Sequence, residues 1–144
     1  MSTIREILDR KGGAVLTTSQ DTSVLQAIGI MSEANIGAIV VAEDDLPVGI
    51  FTERDYLRKI ALQGRSSSDT PLRSVMSSPL ITVSVDDSTD TAMETMTTCR
   101  CRHLIAVEGE IMQGIVSLGD LVKHMLQEKE AEVEQLSHYI AGSY

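Results

Sequence analysis

The sequence predicts an α+β protein made of two copies of one β-α-β-β-α unit, followed by a C-terminal helical extension. Three observations predict it. The chain matches itself without a gap when shifted by 65 positions. Segments whose apolar residues have strand spacing and segments whose apolar residues have helix spacing follow in the same order in both copies. A polar segment with Gly and Pro, GRSSSDTPLR at 64–73, separates the copies.

The internal repeat extends over most of the chain. The identical matched pairs are Thr17 with Thr82, Ser19 with Ser84, Asp21 with Asp86, Ser23 with Ser88, Ala27 with Ala92, Met31 with Met96, Glu43 with Glu108, Gly49 with Gly114, Ile50 with Ile115 and Asp55 with Asp120. Because a copy of about 50 core residues is marginal for independent stability, we expect the two copies to pack sheet to sheet with pseudo-twofold symmetry.

Each copy predicts the same elements in order. A short strand comes first, and a helix follows whose N-cap is an Asp or Ser. Two apolar strands joined by a turn come next, and a helix closes the unit. The predicted segments, with copy 1 given before copy 2, are AVLTTS and LITVSV for the first strand, DTSVLQAIGIMSEAN and DDSTDTAMETMTTCR for the helix, IGAIVVAE and RHLIAVEG for the second strand, DDLP and GEIM for the turn, and VGIFT and QGIVS for the third strand.

The predicted domain boundaries follow the order of the copies along the chain. Repeat 1 with the N-terminal segment takes 1–63, the linker 64–73, repeat 2 takes 74–127 and the helical extension 128–144. One helix is predicted over 118–141, with a stripe of Leu126, Val133, Leu136 and Ile140 on a highly charged background. Such a stripe favours packing on the same chain or on a partner helix.

Composition excludes several classes of function. The net charge of −9 disfavours nucleic-acid binding, which needs Lys and Arg to neutralise phosphates. Aromatic residues make up only 3%, too few for a base-stacking platform. No apolar run reaches the roughly 18–20 residues that span a bilayer. The polar N-terminal segment MSTIREILDRKGG lacks the apolar core of a signal peptide, so we expect a cytoplasmic protein.

Two cysteines, Cys99 and Cys101, stand two positions apart. This spacing suits neither a disulfide nor a four-ligand zinc site. They are predicted to be small, half-buried residues. A Cys–His nucleophile with His103 lacks an evident third orienting group, and nothing marks a site for an electrophile, so we expect no enzyme activity.

One motif recurs where the last strand of each copy turns into the closing helix. GIFTERDYLRKI places Thr52 three residues before Asp55, and GIVSLGDLVKHM places Ser117 three residues before Asp120. A hydroxyl at a helix N-terminus suits a phosphate, and a carboxylate can accept both hydrogen bonds of a ribose diol. The same spacing is also a capping box in its Asp variant. The residues alone leave both interpretations open.

The order of motifs resembles a pair of CBS (cystathionine β-synthase) domains over about residues 8–127. The segments MSEANIGAIVV, GIFTERDYLRKI, VMSSPLITVSVDDS, RHLIAV and GIVSLGDLVKHM look like that family, in the family's order. The resemblance is to the small stand-alone CBS proteins of bacteria and plant organelles.

The resemblance implies a ligand of the adenosine class, namely AMP, ADP, ATP, NAD(H) or S-adenosylmethionine, in two clefts between the copies. The Ser/Thr-x-x-Asp motif of one copy would face the first strand and the α–β junction of the other. One cleft would use Thr52, Arg54, Asp55, Leu80, Ile81, Thr82, Arg102 and His103. The other would use Ser117, Asp120, Val15, Thr17, Ile36, Gly37 and Ala38.

The two implied clefts differ in charge. Arg102 and His103 stand where the first copy has Gly37 and Ala38, so the phosphate is expected where Arg102 reaches. Two departures from the family pattern are Ile105, where the family often has proline, and Gly119, which leaves the second motif without a side chain at that position.

The predicted function is therefore a regulatory module that senses an adenosine nucleotide and signals to an unknown downstream protein, as a homodimer of CBS pairs. The alternative is a structural interaction module that binds no ligand. No catalytic cofactor, metal, nucleic acid or membrane is expected.

Overall fold

The structure, a computed structural model, describes residues 2–12 and 15–142, with side chains up to residue 140. Its elements in chain order are α1 (Ile4–Lys11), β1 (Thr17–Thr18), α2 (Val24–Ala34), β2 (Ala38–Glu43), β3 (Leu46–Thr52), α3 (Glu53–Asp55), a π-helix (Tyr56–Ala61), a 3-10 turn (Leu72–Ser74), β4 (Thr82–Ser84), α4 (Thr89–Cys99), β5 (His103–Glu108), β6 (Ile111–Ser117) and α5 (Leu118–Gly142).

The chain divides into two compact units. The first-repeat unit is Ala14–Thr82, and the second-repeat unit joins Met1–Gly13 to Val83–Tyr144. The predicted α+β class, with the same β-α-β-β-α order twice and a C-terminal helix, is confirmed.

Each repeat forms a three-stranded sheet, in the order β1-β2-β3 and β4-β5-β6. The two central pairs are antiparallel and have matching registers. Ala38 lies opposite Thr52, and His103 lies opposite Ser117. β1 pairs with β2 in parallel, which requires a crossover, and α2 supplies it. The register brings the start of each central strand to the residue where the next helix begins.

The core of the first-repeat unit forms between α2 and the sheet. Val24, Ala27 and Met31 follow the helical period on one face of α2, and all three are buried. Apolar residues of the sheet and of the linker complete the cluster, including Phe51 and Leu72. The linker therefore contributes to the core through its 3-10 turn instead of crossing the surface.

Helix α1 belongs to the second-repeat unit. Ile4 and Ile7 are buried, and the backbone N–H of Ile4 donates to the carbonyl of Asp87 at 3.0 Å. Leu8 packs so closely over β6 that a Cβ on Gly114 would lie 2.7 Å from its Cδ2. The packing thus assigns residues 1–13 to the second-repeat unit, whereas the sequence-based boundaries attach them to repeat 1.

The C-terminal helix α5 is continuous over 25 residues, close to the predicted 118–141. Its first turns are anchored by buried Leu121 and His124. The predicted stripe of Leu126, Val133, Leu136 and Ile140 is exposed. Within the described part of the chain, no helix is long and apolar enough to cross a membrane.

We predict that Leu72→Ala destabilises the first-repeat unit by about 2–5 kcal/mol, because truncating a fully buried Leu leaves a cavity. The matched control is Leu62→Ala at the end of the closing helix. Leu62 is 82% exposed, so this change should cost at most about 0.5 kcal/mol. Urea denaturation measures both. Equal effects would contradict the assignment of the linker to the core.

Candidate functional site

The recurring junction forms a reciprocal capping box in both repeats. The Thr52 hydroxyl accepts from the Asp55 N–H at 3.1 Å, and Asp55 Oδ2 accepts from the Thr52 N–H at 3.0 Å. Ser117 and Asp120 repeat the arrangement at 3.1 and 2.9 Å. Each box satisfies two backbone donors that a helix start leaves unpaired. The capping role that the sequence left open is therefore present at both junctions.

Asp55 is enclosed by groups of its own unit. Its Oδ1 accepts from the Ser77 hydroxyl at 2.9 Å and lies 3.1 Å from Lys59 Nζ. Lys59 also donates to the carbonyl of Val75 at 2.9 Å. The side chain of Asp55 is only 9% exposed. Both oxygens thus have partners, and the charge of the carboxylate is compensated by an ammonium one helical turn away.

Asp120 is more open. Its side chain is 23% exposed, and Lys11 Nζ donates to its Oδ2 at 2.8 Å. Burial is the largest influence on this carboxyl and acts to raise its pKa. The hydrogen bonds from Lys11 and from the Ser117 N–H outweigh burial, so the net pKa of Asp120 lies below its ordinary value.

The cation beside the carboxylate comes from different places in the two repeats. In the first-repeat unit it is Lys59, on the closing helix itself. The matching position of α5 carries His124, and the ammonium comes instead from Lys11 at the end of α1. The position that matches Lys11 is Met76, whose side chain packs over Gly49. The capping box is therefore the same in both units, while its surroundings differ.

Buried His124 lies next to Arg10. Arg10 Nη1 is 3.4 Å from His124 Nδ1 and donates to Gln127 Oε1 at 3.1 Å. Because a guanidinium only donates, a hydrogen bond here requires Nδ1 to act as the acceptor. Nε2 is 3.3 Å from Glu128 Oε1 but has no partner in hydrogen-bonding geometry among the described residues.

Two surface grooves flank the junction of the second-repeat unit. One, of about 610 Å³, is lined by Ile7, Arg10, Lys11, Asp120, Lys123, His124 and Gln127. The other, of about 750 Å³, is lined by Arg102, His103, Ser117, Leu118, Gly119, Val122, Lys123, Leu126, Gln127 and Glu130. Lys123 and Gln127 line both, so the two grooves adjoin along α5. Basic side chains dominate their charged groups.

A groove of the first-repeat unit, of about 580 Å³, is lined by Ile28, Met31, Ser32, Asn35, Ile36, Gly37, Glu53, Tyr56 and Leu57, and Asp55 is not among these residues. No basic side chain occurs among the described residues that line it, and Glu53 supplies its formal charge. This groove is apolar and weakly acidic, in contrast to the grooves of the second-repeat unit.

The remaining predicted site residues have the following local surroundings. The Gly37 carbonyl accepts from the Glu53 N–H at 3.1 Å, and the Arg102 carbonyl accepts from the Leu118 N–H at 2.8 Å. Ala38 and His103 pair with Thr52 and Ser117 across their sheets. Half-buried residues are Val15, Ile36, Leu80 and Ile81, and exposed ones are Thr17, Arg54, Thr82 and Arg102. Their grouping across the two units stays a prediction.

Sequence reasoning missed the partners of both carboxylates. Lys59 stands four residues after Asp55, a spacing that brings side chains together on a helix. This ion pair could therefore have been predicted from the sequence. Lys11 is distant in sequence from Asp120, and Ser77 is distant from the capping box at Thr52. Only tertiary packing brings each of these partners to its carboxylate. Arg10, Lys123 and His124 carried no recognisable pattern.

Comparison with known proteins assigns the family. The model of the CBS domain matches residues 4–62 and 72–127. The chain belongs to the CBS-domain family. A CBS domain-containing protein of Arabidopsis thaliana mitochondria, CBSX3, is 39% identical over alignments covering 99% of this chain and 74% of that protein.

Solved CBS structures agree with the fold. A putative signal-transduction protein with CBS domains from Burkholderia ambifaria is 39% identical, with a TM-score of 0.84 over 88% of this chain and 95% of that one. The CBS domain protein PAE2072 from Pyrobaculum aerophilum, solved in complex with AMP, has a TM-score of 0.74 over 83% of this chain and 89% of that one, at 23% identity. The latter likeness concerns the fold alone.

We predict that the stability contributed by Asp120 depends on pH. Because the folded-state pKa of this carboxyl is lowered, its contribution is fully present above the unfolded value of about 3.9 and is lost as pH falls through the folded value. The difference in unfolding free energy between wild type and Asp120→Asn should therefore shrink from pH 7 towards pH 3.

The check is urea denaturation at several pH values. Lys11→Met removes the cation that lowers the pKa, so this variant should lose part of the same pH dependence. A wild-type-to-variant difference that is unchanged between pH 7 and pH 3 would contradict the role assigned to the Lys11–Asp120 pair.

Proposed function

We propose that this CBS pair is a regulatory module that binds an adenosine nucleotide and signals its presence to a partner protein. The observation that carries the proposal is the carboxylate at each strand-to-helix junction, held by a capping box, with basic grooves beside Asp120. Membership of the CBS family, and a protein of the same fold in complex with AMP, support the ligand class.

The chemistry of the junction suits such a ligand. A carboxylate oxygen can accept hydrogen bonds from the vicinal hydroxyls of ribose, and a helix N-terminus favours the negative charge of a phosphate. The basic residues Arg10 and Lys123 line the groove that contains Asp120 and can pair with phosphate oxygens. Because the chain has few aromatic residues, the base would be covered by aliphatic side chains.

Ligand would lie in clefts between the repeats, as proposed for the family. Thr52, Arg54 and Asp55 would face Leu80, Ile81 and Thr82, with Arg102 and His103 closing on the phosphate. Ser117 and Asp120 would face Val15, Thr17, Ile36, Gly37 and Ala38. The ligand set comprises AMP, ADP, ATP, NAD(H) and S-adenosylmethionine.

Signalling requires that the ligand prefer one arrangement of the repeats over another, because a ligand shifts an equilibrium only by its differential affinity. We propose a homodimer of pairs in the cytoplasm, in which binding changes the relative orientation of the repeats. The exposed stripe of α5, from Leu126 to Ile140, is available to contact another helix. No catalytic step is proposed.

We predict that an adenosine nucleotide raises the melting temperature. Ligand at about 100 times its dissociation constant adds about 2.7 kcal/mol to the unfolding free energy, which corresponds to a rise in melting temperature of about 5–11 °C. A thermal-shift panel of AMP, ADP, ATP, NAD, NADH and S-adenosylmethionine measures this, with GTP and free ribose as controls for base and sugar.

The matched control is the double variant Asp55→Asn and Asp120→Asn, which should melt independently of these ligands. Absence of any shift in the wild-type chain across the panel would reject the proposed ligand class and favour a structural interaction module. A shift of the same size in the double variant would place the ligand away from both junctions.

A further inference from the structure

We propose that the two junctions have diverged, so that only the Asp120 junction receives the nucleotide, and that Arg10, Lys11 and Lys123 make it selective for a phosphorylated ligand. The Asp55 junction then serves the structure of its own unit. This inference rests on the proposed function and specifies which half of the pair performs it.

Both oxygens of the Asp55 carboxylate already have partners within its own chain. Its Oδ2 accepts from the Thr52 N–H at 3.0 Å, and its Oδ1 accepts from the Ser77 hydroxyl at 2.9 Å with Lys59 Nζ 3.1 Å away. The Ser77 hydroxyl makes the contact that a ribose hydroxyl would have to make. Because Lys59 also donates to the Val75 carbonyl and the Ser77 backbone pairs with Ile50, a ribose would have to break a buried, charge-assisted network to enter.

The Asp120 carboxylate retains an acceptor. Its Oδ2 takes both the Ser117 N–H at 2.9 Å and Lys11 Nζ at 2.8 Å. Its Oδ1 receives no hydrogen bond from the other described residues, and the side chain is 23% exposed against 9% for Asp55. A ribose hydroxyl can therefore donate to Oδ1 while the capping box stays intact.

Basic side chains mark the Asp120 junction. Arg10, Lys11 and Lys123 line the groove that contains Asp120, and the Asp55 carboxylate has Lys59 beside it. A single carboxylate surrounded by three basic groups favours a ligand with both hydroxyls and negative charge. A nucleoside polyphosphate fits that requirement better than an uncharged nucleoside.

The repeat itself supplies matched variants. Lys11→Met introduces the residue at the equivalent place of the other repeat, and Arg58→Ala is the equivalent of Lys123→Ala. Asp55→Asn is the counterpart of Asp120→Asn. The Asn variants remove the same carboxylate at equivalent positions, and because Asp55 is the more buried of the two, a loss of fold should affect Asp55→Asn at least as much as Asp120→Asn.

The test is isothermal titration calorimetry of the full chain with ATP, AMP and adenosine as probes. We expect one ATP per chain. Asp120→Asn should weaken ATP binding by about tenfold or more, the loss of a hydrogen bond to a charged group, while Asp55→Asn changes it less than about threefold. Lys11→Met and Lys123→Ala should weaken ATP more than adenosine, and Arg58→Ala should weaken neither.

Thermal melts of each variant without ligand verify the fold. Two ATP molecules per chain, or a loss of affinity in Asp55→Asn but not in Asp120→Asn, would overturn the inference while leaving the proposed function standing. Equal losses for ATP and adenosine in Lys11→Met and Lys123→Ala would overturn the selectivity. Failure of the wild-type chain to bind any of the three probes would overturn this inference, and the wider thermal-shift panel decides separately whether the proposed function fails too.

Discussion

The turn from β3 into α3, and from β6 into α5, depends on one pair of reciprocal hydrogen bonds between a hydroxyl and a carboxylate three residues later. The pair fixes the direction in which each closing helix leaves its sheet, and it holds the carboxylate at the start of that helix. It needs only one carboxylate oxygen. Capping and ligand binding are therefore compatible roles of one side chain, provided that the second oxygen remains available.

Duplication produced two identical boxes, and later substitutions gave them different neighbours. At Asp55 the compensating ammonium is on the same helix, and the Ser77 hydroxyl occupies the second oxygen. At Asp120 the ammonium comes from α1, and none of the described residues donates to the second oxygen. The capping-box geometry, which both repeats share, is local to the turn. The groups that decide whether the second carboxylate oxygen is available to a ligand come from segments outside the turn. Equivalent motifs can thus acquire unequal affinities without any change in the motif.

Local features were accessible from the sequence, and long-range ones were not. The offset between Thr17 and Thr82 revealed the duplication, and apolar periodicity predicted the strands and the long helix α5. The Thr52 and Ser117 boxes follow from a three-residue spacing. Lys11, by contrast, reaches Asp120 only through the packing of α1 against β6, which no local pattern encodes. The π-helical hydrogen bond from the Leu62 N–H to the Leu57 carbonyl likewise leaves no signature in a helical apolar pattern.

The boundaries of the two sequence repeats differ from the boundaries of the two packed units. Residues 1–13 precede the first copy but complete the second-repeat unit, and the linker around Leu72 completes the first. A recombination event that removed one copy at the linker would separate Ile4 and Ile7 from the residues that bury them, and would expose the core of whichever half was retained. Neither copy cut out at the linker would therefore keep the complete set of residues that pack in its unit, so the two repeats depend on each other's flanking segments.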